Sequence, residues 1–292
     1  MLNGLAAVTP PQFRRTDSRP IVSSTTMNSP PPSLTRHFLS GDAAARYLRG
    51  RPFVHPVIVE RIQRITERER FGAVLDVGCG TGQSARAVAA VATEVIGVDL
   101  SAEMLGFARR EGSIPYLRGR AEALPAASGA FELVTTGLAF HWFDQPRFLA
   151  ESHRVLKPGG WLAIYNTAFG GRVRDCPAVE PWIRGTYLVR YPSPPRRAAA
   201  ASVSAGIDAA GFEVVASDAF SHPVPLSATQ LVEFLMSQSN ITAAIEAGPE
   251  GPDEIAAGLE SALRERMGST TGEVEFQSTV QVLRREFANV AG

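Results

Sequence analysis

Ala73-Val74-Leu75-Asp76-Val77-Gly78-Cys79-Gly80-Thr81-Gly82-Gln83-Ser84 is the stretch whose reading decides the fold. Its first five residues are a short apolar run interrupted by one acid, the next five are glycine-rich, and Gln83 to Val91 is rich in alanine. A buried strand, a glycine turn and a helix fit that order, because strands of this kind are short and glycine punctuates them. Strand, turn and helix together open a βαβ unit. Upstream, Ile58, Ile62 and Ile65 recur at i, i+4 and i+7, which predicts an amphipathic helix packed on the sheet.

Downstream the alternation continues. Glu94 to Asp99 reads as a second strand, Ala102 to Arg110 as a helix, Tyr116-Leu117 as a short strand and Phe131 to Thr136 as a fourth. A helix from Pro146 to Leu156 and the turn Pro158-Gly159-Gly160 lead to Trp161 to Tyr165. Phe212 to Val215 and Val274 to Leu283 supply two more strands, with helical stretches in Ala228 to Ala247 and Ile255 to Met267. The predicted class is α/β, a doubly wound, mostly parallel, Rossmann-like seven-stranded sheet with helices on both faces. Residues 170–200, rich in proline, aromatics and arginine, read as an insertion overhanging the site.

In such a sheet ligands bind outside the carboxyl ends of the strands, so the glycine turn is the expected cofactor loop. Gly78, Gly80 and Gly82 remove the Cβ atoms that would hold a ligand off the backbone. A dinucleotide fingerprint wants Gly-x-Gly-x-x-Gly, but Gln83 stands three after Gly80 and the third glycine comes one residue early. Asp99, at the end of the second strand, is placed to accept from two ribose hydroxyls in either cofactor class. Asp76 inside a buried strand needs a partner. It is expected near the cofactor, directly or through water, or else as a cap of the loop.

Composition bounds the partners. Lys and Arg number 29 against 29 Asp and Glu, with Lys157 the only lysine. Without a basic cluster, a nucleic-acid partner is not expected. Cys79 and Cys176 form no metal-ligand pattern, which fits a reducing, cytoplasmic setting and no bound metal. No apolar run approaches the roughly 20 residues of a membrane span, since Arg86, Thr93 and Glu94 break the stretch from Ala85 to Val98. Residues 1–36, with Pro10-Pro11 and Pro30-Pro31-Pro32, read as disordered, and the arginines at 14, 15 and 19 leave a transit peptide or a mis-assigned start before Met27 open. Residues 37–292 read as one domain, with the cofactor part at about 70–167.

Three segments resemble, in order, the class I S-adenosylmethionine-dependent methyltransferases: Val74 to Gly82, Val98-Asp99-Leu100-Ser101-Ala102-Glu103-Met104-Leu105, and Arg154-Val155-Leu156-Lys157-Pro158-Gly159-Gly160. Tyr47 with Arg51-Pro52, Ala139-Phe140-His141-Trp142-Phe143-Asp144 and Ser237-Gln238-Ser239 resemble the trans-aconitate methyltransferase group within that family. The resemblance implies S-adenosyl-L-methionine as cofactor and a small-molecule acceptor. It puts Gly78, Gly80 and Leu100 against the cofactor, Asp99 on the ribose, Met104 packed on the adenine, and Ala121 with Glu122 beside it. Arg120 stands where the family often has an acidic or polar residue.

His141 and Trp142 follow the fourth strand, where an acceptor would approach, and His141 is a candidate base. Tyr47 and Arg51 are candidate acceptor contacts. Asp144, before Gln145-Pro146, reads as an N-cap. An acceptor carboxylate would need a cationic clamp, for which Arg172, Arg174, Arg184 and Arg190 are candidates. Oxygen is the expected methyl acceptor, as carboxylate or hydroxyl. A carbon methyltransferase of quinone-type biosynthesis, a nicotinamide-dependent reductase and a non-catalytic cofactor-binding protein are the alternatives. The oligomeric state is not readable.

Overall fold

The structure is a computed structural model that describes residues 41–193, 203–248, 250–268 and 271–286. The segment 1–36, expected to be disordered, lies outside the described residues. Two helices precede the sheet, α1 (Gly41–Gly50) and α2 (His55–Thr66). Helix α2 buries Ile58 and Ile62, the face that the apolar spacing selects.

The alternating core follows as β1 (Phe71–Val77), α3 (Gln83–Ala89), β2 (Ala92–Asp99), α4 (Ala102–Ala108), β3 (Tyr116–Arg118), β4 (Phe131–Gly137), α5 (Gln145–Val155) and β5 (Leu156–Val173). After it come α6 (Val179–Trp182), a π-helical turn (Ile183–Tyr187), α7 (Leu188–Arg190) and α8 (Val203–Ala209). The chain continues through β6 (Phe212–Leu226), α9 (Ala228–Met236), α10 (Ser239–Ala247), α11 (Pro252–Met267) and β7 (Gly272–Arg285). Strand order is β3-β2-β1-β4-β5-β7-β6. β7 runs antiparallel to both neighbours, and the pairs among the first five strands are parallel.

Both faces of the sheet are covered. Val74, Leu133, Ala163 and Val280 pack with α2 and α3 on one face, while Leu75, Val134, Leu162 and Leu283 pack with α5 and α8 on the other. That alternation of neighbours along each strand, with both sides apolar, is the signature of a two-sided parallel sheet.

The last three strands overshoot the others. β5 and β6 continue well past the stretches expected for them, Trp161 to Tyr165 and Phe212 to Val215, while β7 stays close to the expected Val274 to Leu283. The far ends of the three strands carry a separate apolar cluster with Val179, Trp182, Leu231, Phe234, Leu259 and Phe276. The described part of the insertion, 170–193, begins as strand up to Val173 and joins α9, α10 and α11 in a helical cap. The sequence pattern missed α1 and α8 and cut β6 short, because β6 alternates exposed and half-buried residues that carry no apolar run.

Two positions at the end of β4 are tightly constrained. A Cβ on Gly137 would lie 2.3 Å from the Tyr165 ring, so only glycine lets that ring cross the strand. Leu138 then takes φ 59, a left-handed conformation that costs a side-chain-bearing residue about 1 to 3 kcal/mol. Gly137→Ala should lower stability by about 1 to 3 kcal/mol through overpacking. Urea unfolding measures it, and a midpoint unchanged from the parent would show that the ring can move aside.

Candidate active site

The carboxyl ends of β1, β2, β4 and β5 face the cap across a cavity of about 510 Å³. Its sheet side is made by the glycine loop and the residues after β2 and β3: Gly78, Gly80, Asp99, Leu100, Met104, Ala121 and Glu122 all line it. Gly78, Gly80 and Gly82 take φ of 71, 53 and 79, so the loop is built on left-handed turns. A Cβ on Gly80 would meet no heavy atom within 4 Å, so the backbone there borders open space that a ligand can approach.

Asp99 is half-buried against this loop. One carboxylate oxygen accepts the Gly80 N–H and the other the Ser101 N–H, each at 2.8 Å. Burial pushes its carboxyl above the ordinary value, opposed by those backbone hydrogen bonds. Ser101 caps α4 by accepting the Met104 N–H at 3.2 Å, which fixes Met104 in the wall. Glu122 accepts the Asp144 N–H at 3.0 Å and faces Arg120 at 3.5 Å, so the arginine that departs from the family pattern has a local acid. Asp144 caps α5 as expected, accepting the Arg147 N–H at 3.3 Å.

Asp76 fits the second of its two readings, a structural anchor of the glycine loop. It does not line the cavity: it is fully buried, one oxygen accepting Ser84 Oγ–H at 2.5 Å and the other Thr135 Oγ1–H at 2.8 Å. An acid in mid-strand points into the layer beneath the loop, and here it ties β1 to the first turn of α3 and to β4. Burial raises its carboxyl from 3.8 to about 6, against the pull of the Ser84 and Thr135 hydroxyls.

The cap side holds Tyr47, Arg51, His141, Trp142, Phe234, Tyr187 and Asn240. His141 lies in a short 3₁₀ turn after β4, its ring 4.7 Å from that of Trp142, and it also lines a second cavity of about 430 Å³ on the β5–β7–β6 face. Arg51 lies against Tyr47 and Phe234, its guanidinium carbon 4.8 and 5.5 Å from their ring centres. Among the described residues no acid forms an ion pair with it, its Nε has no hydrogen-bond partner, and burial lowers its pKa.

The four arginines of the insertion, candidates for a clamp or for solvated surface, take surface partners. Arg172 and Arg184 pair with Glu180, Arg174 with Glu273 and Arg190 with Glu250, all on exposed surface away from the cavity lining. Sequence reasoning also missed Tyr187 and Asn240. Their side chains pair at 3.2 Å, and Asn240 donates to the Tyr191 carbonyl at 2.8 Å, locking the π-helical turn to α10. An interruption of helical pairing often marks a functional site, but no residue spacing announces it.

With this geometry in view, the comparisons agree on one class. A family model described as a methyltransferase domain matches residues 75–164, from β1 into β5. The chain is 41% identical over 99 residues to a malonyl-[acyl-carrier protein] O-methyltransferase of Pectobacterium atrosepticum, covering 33% of this chain and 39% of that relative. It is 39% identical over 111 residues to a demethylmenaquinone methyltransferase of Chlorobaculum parvum, covering 37% of this chain and 46% of that relative. The chain thus spans less than half the length of these relatives. A solved structure described as a candidate type II methyltransferase from Anaeromyxobacter dehalogenans shares the fold, with a TM-score of 0.62 and 21% identity over 80% of this chain and 97% of that one. Residues 75–164 thus match a methyltransferase domain, and the solved structure shows that the fold around them is shared. No helix among the described residues is long and apolar enough to cross a membrane.

Asp76 and His55 give opposite pH signatures. Asp76 binds its proton more tightly folded than unfolded, so its contribution is greatest at low pH and is lost as pH rises from about 4 to about 6. His55, which burial lowers from 6.5 to about 4, contributes stability that is present above 6.5 and lost as pH falls towards 4. Asp76→Asn removes the first slope, so the variant's stability should rise more steeply between pH 4 and 6 than the parent's, by up to about 3 kcal/mol. Urea unfolding at several pH values checks this. Parallel profiles would contradict the buried placement of the carboxyl.

Proposed function

We propose that the whole chain is an S-adenosylmethionine-dependent methyltransferase acting on a small organic acceptor, with oxygen, as carboxylate or hydroxyl, as the methylated atom. The observation that carries the reading is the division of one cavity into a glycine-loop side ending in Asp99 and an aromatic cap side holding His141 and Arg51. The size supports it too, since about 510 Å³ suits a nucleoside cofactor and a compact acceptor.

Bound S-adenosylmethionine supplies an electrophilic methyl group on a positively charged sulfur. The residues of the chain do the rest. Asp99 accepts from the ribose hydroxyls with the lone pairs that Gly80 and Ser101 leave free, Leu100, Met104 and Ala121 enclose the adenine, and Glu122 stands at its edge. Arg51, bonded through its carbonyl to Gln83 at 3.3 Å and so held just past the loop, meets a carboxylate at the amino-acid end of the cofactor. That moves Arg51 from the acceptor, where its sequence position suggested it, while Tyr47 remains beside both. Most of the acceleration comes from holding the acceptor atom about 3 to 3.5 Å from the methyl carbon, in line with the breaking bond.

His141 and Trp142 border the acceptor. For a hydroxyl acceptor, the oxygen's electron pair forms the new C–O bond, the C–S pair returns to sulfur, and His141 takes the released proton. A carboxylate acceptor needs no base. The likeness to an O-methyltransferase supports oxygen as acceptor, and the likeness to a demethylmenaquinone methyltransferase supports the second reading, transfer to carbon. The trans-aconitate-like segments of the sequence favour the first.

Asp99→Ala should weaken S-adenosylmethionine binding at least about tenfold, because it removes charge-assisted hydrogen bonds worth roughly 1.5 to 3 kcal/mol each. Calorimetry measures it, and an affinity within about twofold of the parent would remove Asp99 from the ribose. With a hydroxyl acceptor, His141→Ala should cost about 100- to 10,000-fold in turnover and abolish the rise of rate with pH as the imidazole loses its proton. Full turnover and acceptor affinity in both His141→Ala and His141→Gln would make the histidine part of the scaffold.

A further inference from the structure

On the face of the sheet opposite α2, the middle of β5, β7 and β6 is a polar surface that belongs to neither the glycine loop nor the cap. Strand register sets two rows across it, Ile164–Gln281–Ser217 and Asn166–Thr279–Ala219. Alternation along each strand puts these side chains on the face that α5 and α8 cover further back, where Leu162, Leu283 and Phe212 are buried. Past those helices the face turns from apolar to amide and hydroxyl, and Ser217 and Thr279 are exposed. The surface is concave, because the turn from Ala139 to His141 walls it and makes the cavity of about 430 Å³. That volume lies within the range of small-ligand sites. Asp218 is the one carboxylate among its lining residues, and Arg61 of α2 pairs with it from the opposite face, where Tyr165 and Val280 are packed.

Ala139, His141 and Asn166 line both this groove and the larger cavity, so the two spaces meet at one thin wall of side chains. We propose that the groove is a second subsite for the acceptor: a neutral chain bearing amide or hydroxyl groups, attached to the methylated end, passes beside His141 and lies along Asn166, Thr279, Gln281 and Ser217. The compact methylated end stays in the larger cavity. Chemistry selects the tail. The amides of Asn166 and Gln281 and the hydroxyls of Thr279 and Ser217 each offer both a donor and an acceptor, so they match neutral groups of either kind. A charged tail meets no opposite charge there, since the one acid in the lining is already paired. A hydrocarbon tail would cover these polar groups without replacing the hydrogen bonds that water gives them. The subsite rests on the reading that His141 and Trp142 border the reacting atom of the acceptor.

The test uses analogues of S-adenosylmethionine in which a tertiary amine replaces the sulfonium, titrated into the full chain by calorimetry. One probe keeps the methyl group on that nitrogen. A second replaces the methyl with a chain of about two to about six methylene groups ending in two successive amides, and a third carries a plain hydrocarbon of the same length. At its best linker length the diamide probe should bind about tenfold more tightly than the methyl probe, and the hydrocarbon probe by no more than about twofold. Thr279→Trp, which fills the groove from an exposed position, should abolish that gain and leave the methyl probe within about twofold of the parent. Ser217→Trp carries the same expectation and serves if Thr279→Trp does not fold. No gain at any linker length, an equal gain from the hydrocarbon, or a gain that survives both tryptophan variants would overturn the subsite while leaving the cofactor side as described. A methyl probe that does not bind the parent would overturn the cofactor reading and the proposal with it.

Discussion

Burial of the Asp76 carboxyl is the constraint on which the rest of the structure depends. A carboxylate in mid-sheet costs several kcal/mol unless its oxygens are satisfied. Ser84 and Thr135 satisfy them, and in doing so they fix the first turn of α3 and strand β4 against β1. The glycine loop is the short span between those anchored points. Its shape is therefore set from below, by a buried acid, as much as by the three positive φ angles along it. Asp99 holds the loop from the other side through the Gly80 N–H.

The cavity has two histories in the chain. Its sheet side comes from residues that stand next to strand ends in sequence, and a doubly wound sheet brings such ends together by topology alone. Its cap side exists because β5, β6 and β7 outrun the other strands and give α6, α9 and α11 an apolar surface to cover. A side formed by the strand ends of the sheet thus meets a side formed by the helical cap, which the proposed function assigns to the acceptor. Fold carries little about function, and the acceptor is decided on the cap.

That division explains what the sequence made legible. The loop, Asp99, the Asp144 cap and the place of His141 follow from local order along strand, turn and helix, Met104 from the family resemblance, and each lines or borders the cavity. For Asp76 the sequence left two readings open, because spacing tells that an acid lies in a strand but not which layer its side chain enters. The arginines of the insertion could be read as clamp candidates or as solvated surface, because charge in a loop is visible in sequence whereas its partners, Glu180, Glu250 and Glu273, are set by packing. The pairs Tyr187–Asn240 and His55–Tyr165 join residues 53 and 110 positions apart, and no periodicity reports contacts of that range. Leu138 is a case of the same kind, since its left-handed backbone breaks a local rule at the rim of the site.

The most direct measurement is the melting temperature of the purified chain with each of two cofactors. A ligand at about 100 times its dissociation constant adds about 2.7 kcal/mol to the native state. S-adenosylmethionine should raise the melting temperature by an amount matching that gain, and NAD should leave it unchanged. A rise with NAD and none with S-adenosylmethionine would contradict the account at its centre.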